Sequence, residues 1–188
     1  MFKIVEFSHV LIDEFYQRNK NRELIFIDAT CGRGNDTLKL ATTLNHNGTI
    51  VAYDIQEEAI NDTRKLLEKN GFNDVIYHLQ SHEKLVEKDL DLIIYNLGYL
   101  PGSNKQVRTE VKSTMKSIKR SIDIVCQKKE YLIIIVIYPG HKEGLEESTI
   151  VDEFCMMLPS KFFLVSKYQN YNRPTSPYII TIGPNKYK

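Results

Sequence analysis

The sequence predicts an α/β fold: a doubly wound, mostly parallel sheet of seven strands with helices on both faces. Three observations predict it. Short apolar runs alternate with segments of helical period, the pattern of strand–helix–strand crossovers. Central runs such as ELIFIDAT (23–30) and YLIIIVIY (131–138) are almost continuously apolar rather than alternating, as strands buried on both faces are. The last two strand-like segments have only a loop between them, so they form an antiparallel pair at one edge.

The elements follow in order. Over residues 3–18, Ile4, Phe7, Val10, Leu11 and Phe15 form a helical stripe. Residues 23–30 are the first strand, and 36–44 a helix with NHNG (45–48) as its exit turn. TIVAYDI (49–55) is the second strand, and 57–69 a helix closed by Asn70 and Gly71. DVIYHLQ (74–80) and LDLIIYN (90–96) are the third and fourth strands. Residues 108–127 place Val111, Met115, Ile118, Ile122 and Val125 on one helix face, and 131–138 is the fifth strand. A helix over 146–157 precedes the terminal strands 161–169 and 176–183. No repeat or domain-sized linker interrupts the chain, so residues 1–188 read as one domain with the first helix, about 1–20, packed on it. This arrangement resembles the class I methyltransferase fold, a Rossmann-like architecture. That resemblance implies the strand order 3-2-1-4-5-7-6 with the seventh strand antiparallel.

Bulk composition narrows the function classes. The 188 residues are 42% apolar and 26% charged, with a net charge of +1, as in an ordinary soluble globule. There is no global basic field, so nucleic-acid binding needs a local patch. The eight-residue run 131–138 is too short to cross a bilayer, and the N-terminal segment carries Glu6, Asp13 and Glu14, unlike a signal peptide. Cys31, Cys126 and Cys155 are widely spaced, which argues against a zinc site or a disulfide framework and for a cytoplasmic location. No metal is expected.

The loop IDATCGRGNDT (27–37) joins the first strand to the next helix. Gly32 and Gly34 allow tight turns and close ligand approach, and the helix N-terminus offers free N–H groups. The third glycine of a dinucleotide fingerprint is missing. The spacing Asp28-x-Thr30-x-Gly32-x-Gly34 instead resembles the first motif of S-adenosylmethionine enzymes, with Thr30 in place of the first glycine. Asp28 can neutralise the ammonium of the methionine moiety, and Asn35 and Asp36 are near enough to join it. Asp54 ends the second strand, where a carboxylate can accept both ribose hydroxyls. Gln56 can touch ribose or adenine, and Ser81 and His82, after the third strand, sit where class I enzymes contact adenine. Cys31, inside this loop, reads as packing.

NLGYLPG (96–102) ends the fourth strand. Asn96-x-x-Tyr99 resembles the N-P-P-Y signature of amino-group methyltransferases, with Leu97 and Gly98 replacing both prolines. An acceptor amine needs its N–H groups held so that its lone pair faces the methyl carbon. The Asn96 side-chain oxygen can do this from a rigid strand end, while Tyr99 shapes the pocket. Such positioning can supply roughly 7–11 kcal/mol.

DATCGRGNDT, VAYDIQEEAI, SHEKL, NLGYLPG and IVIYPGH occur in this order. Together they closely resemble the tRNA 5-aminomethyl-uridine methyltransferase family, earlier labelled rRNA methylases. The resemblance runs over about 1–185. It implies N-methylation of 5-aminomethyl-2-thiouridine at the tRNA wobble position, with S-adenosyl-L-methionine converted to S-adenosyl-L-homocysteine and the anticodon stem-loop as partner; a homodimer is compatible with it. It also implies cofactor contacts at Asp28, Asn35, Asp36, Asp54, Gln56, Ser81 and His82. Asn96, Gly98, Tyr99 and the turn Tyr138–His141 would face the acceptor. An alkyl ammonium has a pKa of about 10 and must lose a proton. His141, His82, Asp36 and water are open as acceptors. For RNA, Lys105, Arg108, Lys112, Lys116, Lys119, Arg120, Lys128 and Lys129 form a basic segment just beyond NLGYLPG, able to neutralise phosphates or simply to be a solvated helix face.

Overall fold

The computed structural model describes residues 3–97, 111–140 and 142–186. The chain order is α1 (Ile4–Asn19), β1 (Leu24–Asp28), α2 (Asn35–Leu44), β2 (Gly48–Asp54), α3 (Glu57–Lys69), β3 (Ile76–Leu79), a short 3-10 turn (His82–Lys84), β4 (Leu92–Asn96), α4 (Val111–Val125), β5 (Leu132–Ile137), α5 (Lys142–Met156), β6 (Phe163–Tyr168) and β7 (Tyr178–Pro184). The seven strands form one sheet in the order β3-β2-β1-β4-β5-β7-β6. β1 to β5 are parallel neighbours, and β7 runs antiparallel to both β5 and β6. This is the expected order.

The strands form where β-branched runs can be buried on both faces. In β5, Ile133 to Ile137 are all buried, and Leu92 to Tyr95 of β4 are fully enclosed. One core layer packs Ile27, Tyr53, Ile93, Tyr95, Ile118 and Ile135 under α4 and α5. The opposite layer packs Ile12, Phe15, Phe26, Leu40 and Ile134 under α1 and α2. The N-terminal helix is therefore part of the core, and Phe7 stacks on Tyr168 with ring centroids 4.1 Å apart. Helix α5 starts a turn earlier than its apolar spacing suggests.

The exit turn after α2 uses left-handed backbone at Asn45 and His46, φ 46° and 65°. Gly48 then opens β2, where an added Cβ would lie 2.2 Å from the Leu24 carbonyl oxygen. Only glycine lets β2 start against β1 in this register. At the sheet's other end, buried Asp91 accepts from Arg22 (2.8 Å), Lys128 (2.6 Å) and the Ile25 N–H (2.9 Å), tying β1 to the entry of β4. Lys128 thus leaves the predicted basic segment: its ammonium is spent on Asp89 and Asp91, because a carboxylate this deeply buried needs close cationic partners.

Candidate active site

Five parallel strands end along one edge, and most of the predicted site residues lie there. Asp28, Asp54 and Asn96 end β1, β2 and β4, while Ser81 and His82 follow β3 and Tyr138 follows β5. Ligands in open α/β sheets bind at this carboxyl edge. Gly98, Tyr99, Lys105, Arg108 and His141 lie outside the described residues.

The β1–α2 loop is built by short local bonds. The Gly34 N–H donates to the Cys31 carbonyl at 2.7 Å, and Gly34 itself is left-handed at φ 81°. A Cβ there would sit 2.9 Å from Thr63 Cα, so the loop lies against α3 with no room for a side chain. The Cys31 thiol is buried and pushed up by desolvation, an inert packing group rather than a nucleophile.

Asp28 is wholly buried. Its Oδ1 accepts from the Thr30 N–H at 3.1 Å and its Oδ2 from the Thr37 hydroxyl at 2.6 Å. Asp28 therefore shapes the loop by bracing its two ends. Burial first, then the neighbouring Asp36 charge, pushes its carboxyl up to about 7. Asp28, Asp36 and Asp54 make this end of the sheet rich in acid, a setting that favours a cationic ligand group.

Asp54 accepts the Gly32 N–H on Oδ2 and the Gln56 N–H on Oδ1, each at 3.0 Å. Burial raises its carboxyl against those bonds. Each oxygen keeps a second lone pair, so a vicinal diol could still be accepted. Gln56 caps α3 by its backbone position, and Ile55 beside it is 51% exposed. An apolar side chain open to solvent next to Asp54 suits a flat base, and the sequence reading passed over it. Ser81 caps the 3-10 turn, its hydroxyl accepting from the Glu83 N–H at 3.3 Å. The His82 imidazole turns inward, edge-on to Tyr95 at 5.8 Å. Desolvation pushes it down to about 4.

Asn96 is fixed by two bonds to the cofactor-side loop and helix. Its N–H donates to Thr30 Oγ1 at 2.8 Å, and its Nδ2 donates to Asp36 Oδ2 at 2.9 Å. The threonine that stands where the motif has a glycine thus ties the β1 loop to the end of β4. Burial, then the Asp36 charge, raises the Tyr138 phenol, and the neighbouring Asn96 side chain partly offsets this. Asp36 also meets His9 of α1, Nε2 to Oδ1, at 2.7 Å. His9 gave no signal in the sequence, because its partner lies 27 positions away and its neighbours read only as a helix stripe. Of the basic segment, Lys112, Lys116, Lys119 and Arg120 are carried on α4; Lys116 reaches Glu83 at 3.7 Å.

Among the described residues no group of three or more His, Cys, Asp or Glu side chains could hold a metal ion. Nor is any helix among them long and apolar enough to cross a membrane.

The model of the family described as "Putative rRNA methylase" matches residues 50–183. A chloroplastic tRNA (mnm5s2U34)-methyltransferase from Arabidopsis thaliana is 34% identical over 95% of this chain and 68% of its own. A crystal structure described as a putative rRNA methylase from Clostridium thermocellum superposes with a TM-score of 0.89 at 28% identity, covering 98% of this chain and 100% of the other. A putative methyltransferase from Streptococcus mutans, solved in complex with S-adenosylhomocysteine, gives 0.82 at 29% identity, covering 98% and 99%. With the sheet order and the carboxyl-edge geometry, these likenesses show that the chain belongs to this rRNA methylase family and is an S-adenosylmethionine-dependent methyltransferase of class I fold.

Proposed function

We propose that the protein methylates the nitrogen of 5-aminomethyl-uridine, with or without 2-thiolation, at the tRNA wobble position. The observation that carries this reading is the fixed carboxamide of Asn96. Its backbone N–H goes to Thr30 and its NH2 is turned to Asp36, so its oxygen faces away from Asp36, where it can take an acceptor's N–H. The Arabidopsis relative, named for this modified nucleoside, supports the same choice. S-adenosylmethionine, when bound, supplies a sulfonium-linked methyl group as the electrophile. Asp54, Gln56, Ile55 and the Gly32–Gly34 loop are the groups placed to hold its nucleoside and methionine parts. Asp28 and Asp36 supply the negative field for its ammonium. Asn96 then orients the neutral acceptor amine, with Tyr138 at its flank; Tyr99 and His141, outside the described residues, are proposed to act on the same acceptor. Holding nucleophile and carbon in line is the main catalytic device.

The anticodon stem-loop is the proposed partner, with Lys112 and Lys116 meeting its phosphates together with Lys105 and Arg108. The cytoplasm is the proposed compartment, which suits three free cysteines. The family's own description favours a second reading, a base in rRNA. Nucleoside mass spectrometry of tRNA and rRNA from a deletion strain separates the two. Accumulated 5-aminomethyl-uridine or its 2-thio form in tRNA, restored by the wild type and not by Asn96→Ala, supports the proposal. An unchanged tRNA profile with a methyl group missing from rRNA would establish the second reading instead.

A further inference from the structure

We propose that His9 and Asp36 are positioning residues that set which way the Asn96 carboxamide faces, a role that rests on the amine-methylation reading. The Asp36 carboxyl bridges two partners, with Oδ1 2.7 Å from His9 Nε2 and Oδ2 2.9 Å from Asn96 Nδ2. A carboxylate offers only lone pairs, so each partner must bring a hydrogen to it. Asn96 therefore turns its NH2 to Asp36 and its oxygen elsewhere. His9 for the same reason carries a proton on Nε2. The assignment follows from the chemistry of the three groups.

The orientation matters because the two ends of a carboxamide do opposite things to an amine. The oxygen accepts an amine N–H and leaves the nitrogen lone pair free to attack. The NH2 end would donate into that same lone pair and tie it up. His9 protects the productive state. The Asp36 side chain is 8% exposed and that of His9 29%, so water has little access to the Oδ1 that His9 covers. Removing the imidazole leaves a nearly buried carboxylate short of one donor. The Asp36 side chain is then no longer anchored on its Oδ1 side, and Asn96 loses the fixed acceptor that holds its NH2 away from the amine. The three residues come from α1, the first turn of α2 and the end of β4.

The test is steady-state methylation of an anticodon stem-loop carrying 5-aminomethyl-uridine, by wild type, His9→Leu and His9→Gln. Leucine fills the space without a donor, and glutamine keeps an N–H for Asp36. We expect His9→Leu to lower kcat by about ten- to a hundredfold, the range for losing a hydrogen bond to a charged group. KM for RNA and for S-adenosylmethionine should stay within about threefold, and His9→Gln should recover most of kcat. Circular dichroism melting checks that each variant folds; should His9→Leu fail to fold, His9→Ala replaces it in the comparison with His9→Gln. Equal kcat for the donor-free variant and His9→Gln, or a loss confined to KM, overturns the proposal. A wild type inactive on this RNA but active on another acceptor overturns the amine reading itself, a distinct result.

Discussion

Replacing His82 by phenylalanine should flatten part of the protein's acid sensitivity. The imidazole is 7% exposed, and its Nδ1 has no hydrogen-bond partner among the described residues. Burial pushes its pKa down from 6.5 to about 4. The sign is fixed by proton counting. Between those values the unfolded chain binds a proton that the folded chain refuses, so stability falls as pH falls through this window. At pH 5 the unfolded imidazole is almost wholly protonated and the folded one almost wholly neutral. With about 1.36 kcal/mol per pH unit, the wild type loses about 2 kcal/mol between roughly pH 7.5 and 5 on account of this one group. Phenylalanine removes both the titration and the unpartnered nitrogen, and it keeps a ring edge-on to Tyr95. Urea unfolding of both proteins at the two pH values measures the difference. The variant should lose about 2 kcal/mol less than the wild type on acidification. Parallel losses would refute the reasoning, since they would mean the folded protein accepts a proton at His82 as readily as the unfolded chain does.

Gly34→Ala puts a side chain on backbone at φ 81° and a Cβ 2.9 Å from Thr63 Cα. The left-handed backbone alone costs about 1–2 kcal/mol, so S-adenosylhomocysteine affinity by calorimetry should fall by about five- to thirtyfold; unchanged affinity would detach this loop from the cofactor. Asp91→Asn replaces the carboxylate that joins Arg22, Lys128 and the Ile25 N–H. Burial raises the Asp91 carboxyl, but the Arg22 and Lys128 bonds outweigh it and hold it below the usual range. Its stabilisation is present above the ordinary carboxylate pKa and lost as pH drops below it. The variant should be about 2 kcal/mol less stable at pH 7 by urea unfolding, with the gap closing toward about pH 3. Lys112→Gln with Lys116→Gln should weaken tRNA binding and lower the log–log salt slope by about 0.7–0.9 for each phosphate no longer neutralised. An unchanged slope would place the RNA on another face.

Local pattern carried the fold because the rules that make it are local. The apolar run 131–138 is a strand wherever it lies, and its lack of alternation already says that both faces are covered. The β1–α2 loop and Asp54 were legible for a related reason: a glycine-rich turn at a strand end and a carboxylate at the next strand end are set by short spacings. Lys128 shows the limit. Sequence put it in a basic segment with Lys112 and Lys116, yet it bonds to Asp91, 37 positions away. His82 shows another: nothing in SHEKL tells whether the imidazole points into solvent or toward Tyr95.

The sequence by itself determined the doubly wound sheet, the carboxyl edge on which the motif residues fall, and the asparagine placed at the end of β4. Tertiary structure alone decided what holds that asparagine. Thr30 and Asp36 reach it from 66 and 60 positions away, and His9 stands a further 27 positions before Asp36. Hydrogen bonds of about 3 Å are made by whatever packing brings into range, and periodicity along the chain carries no record of that.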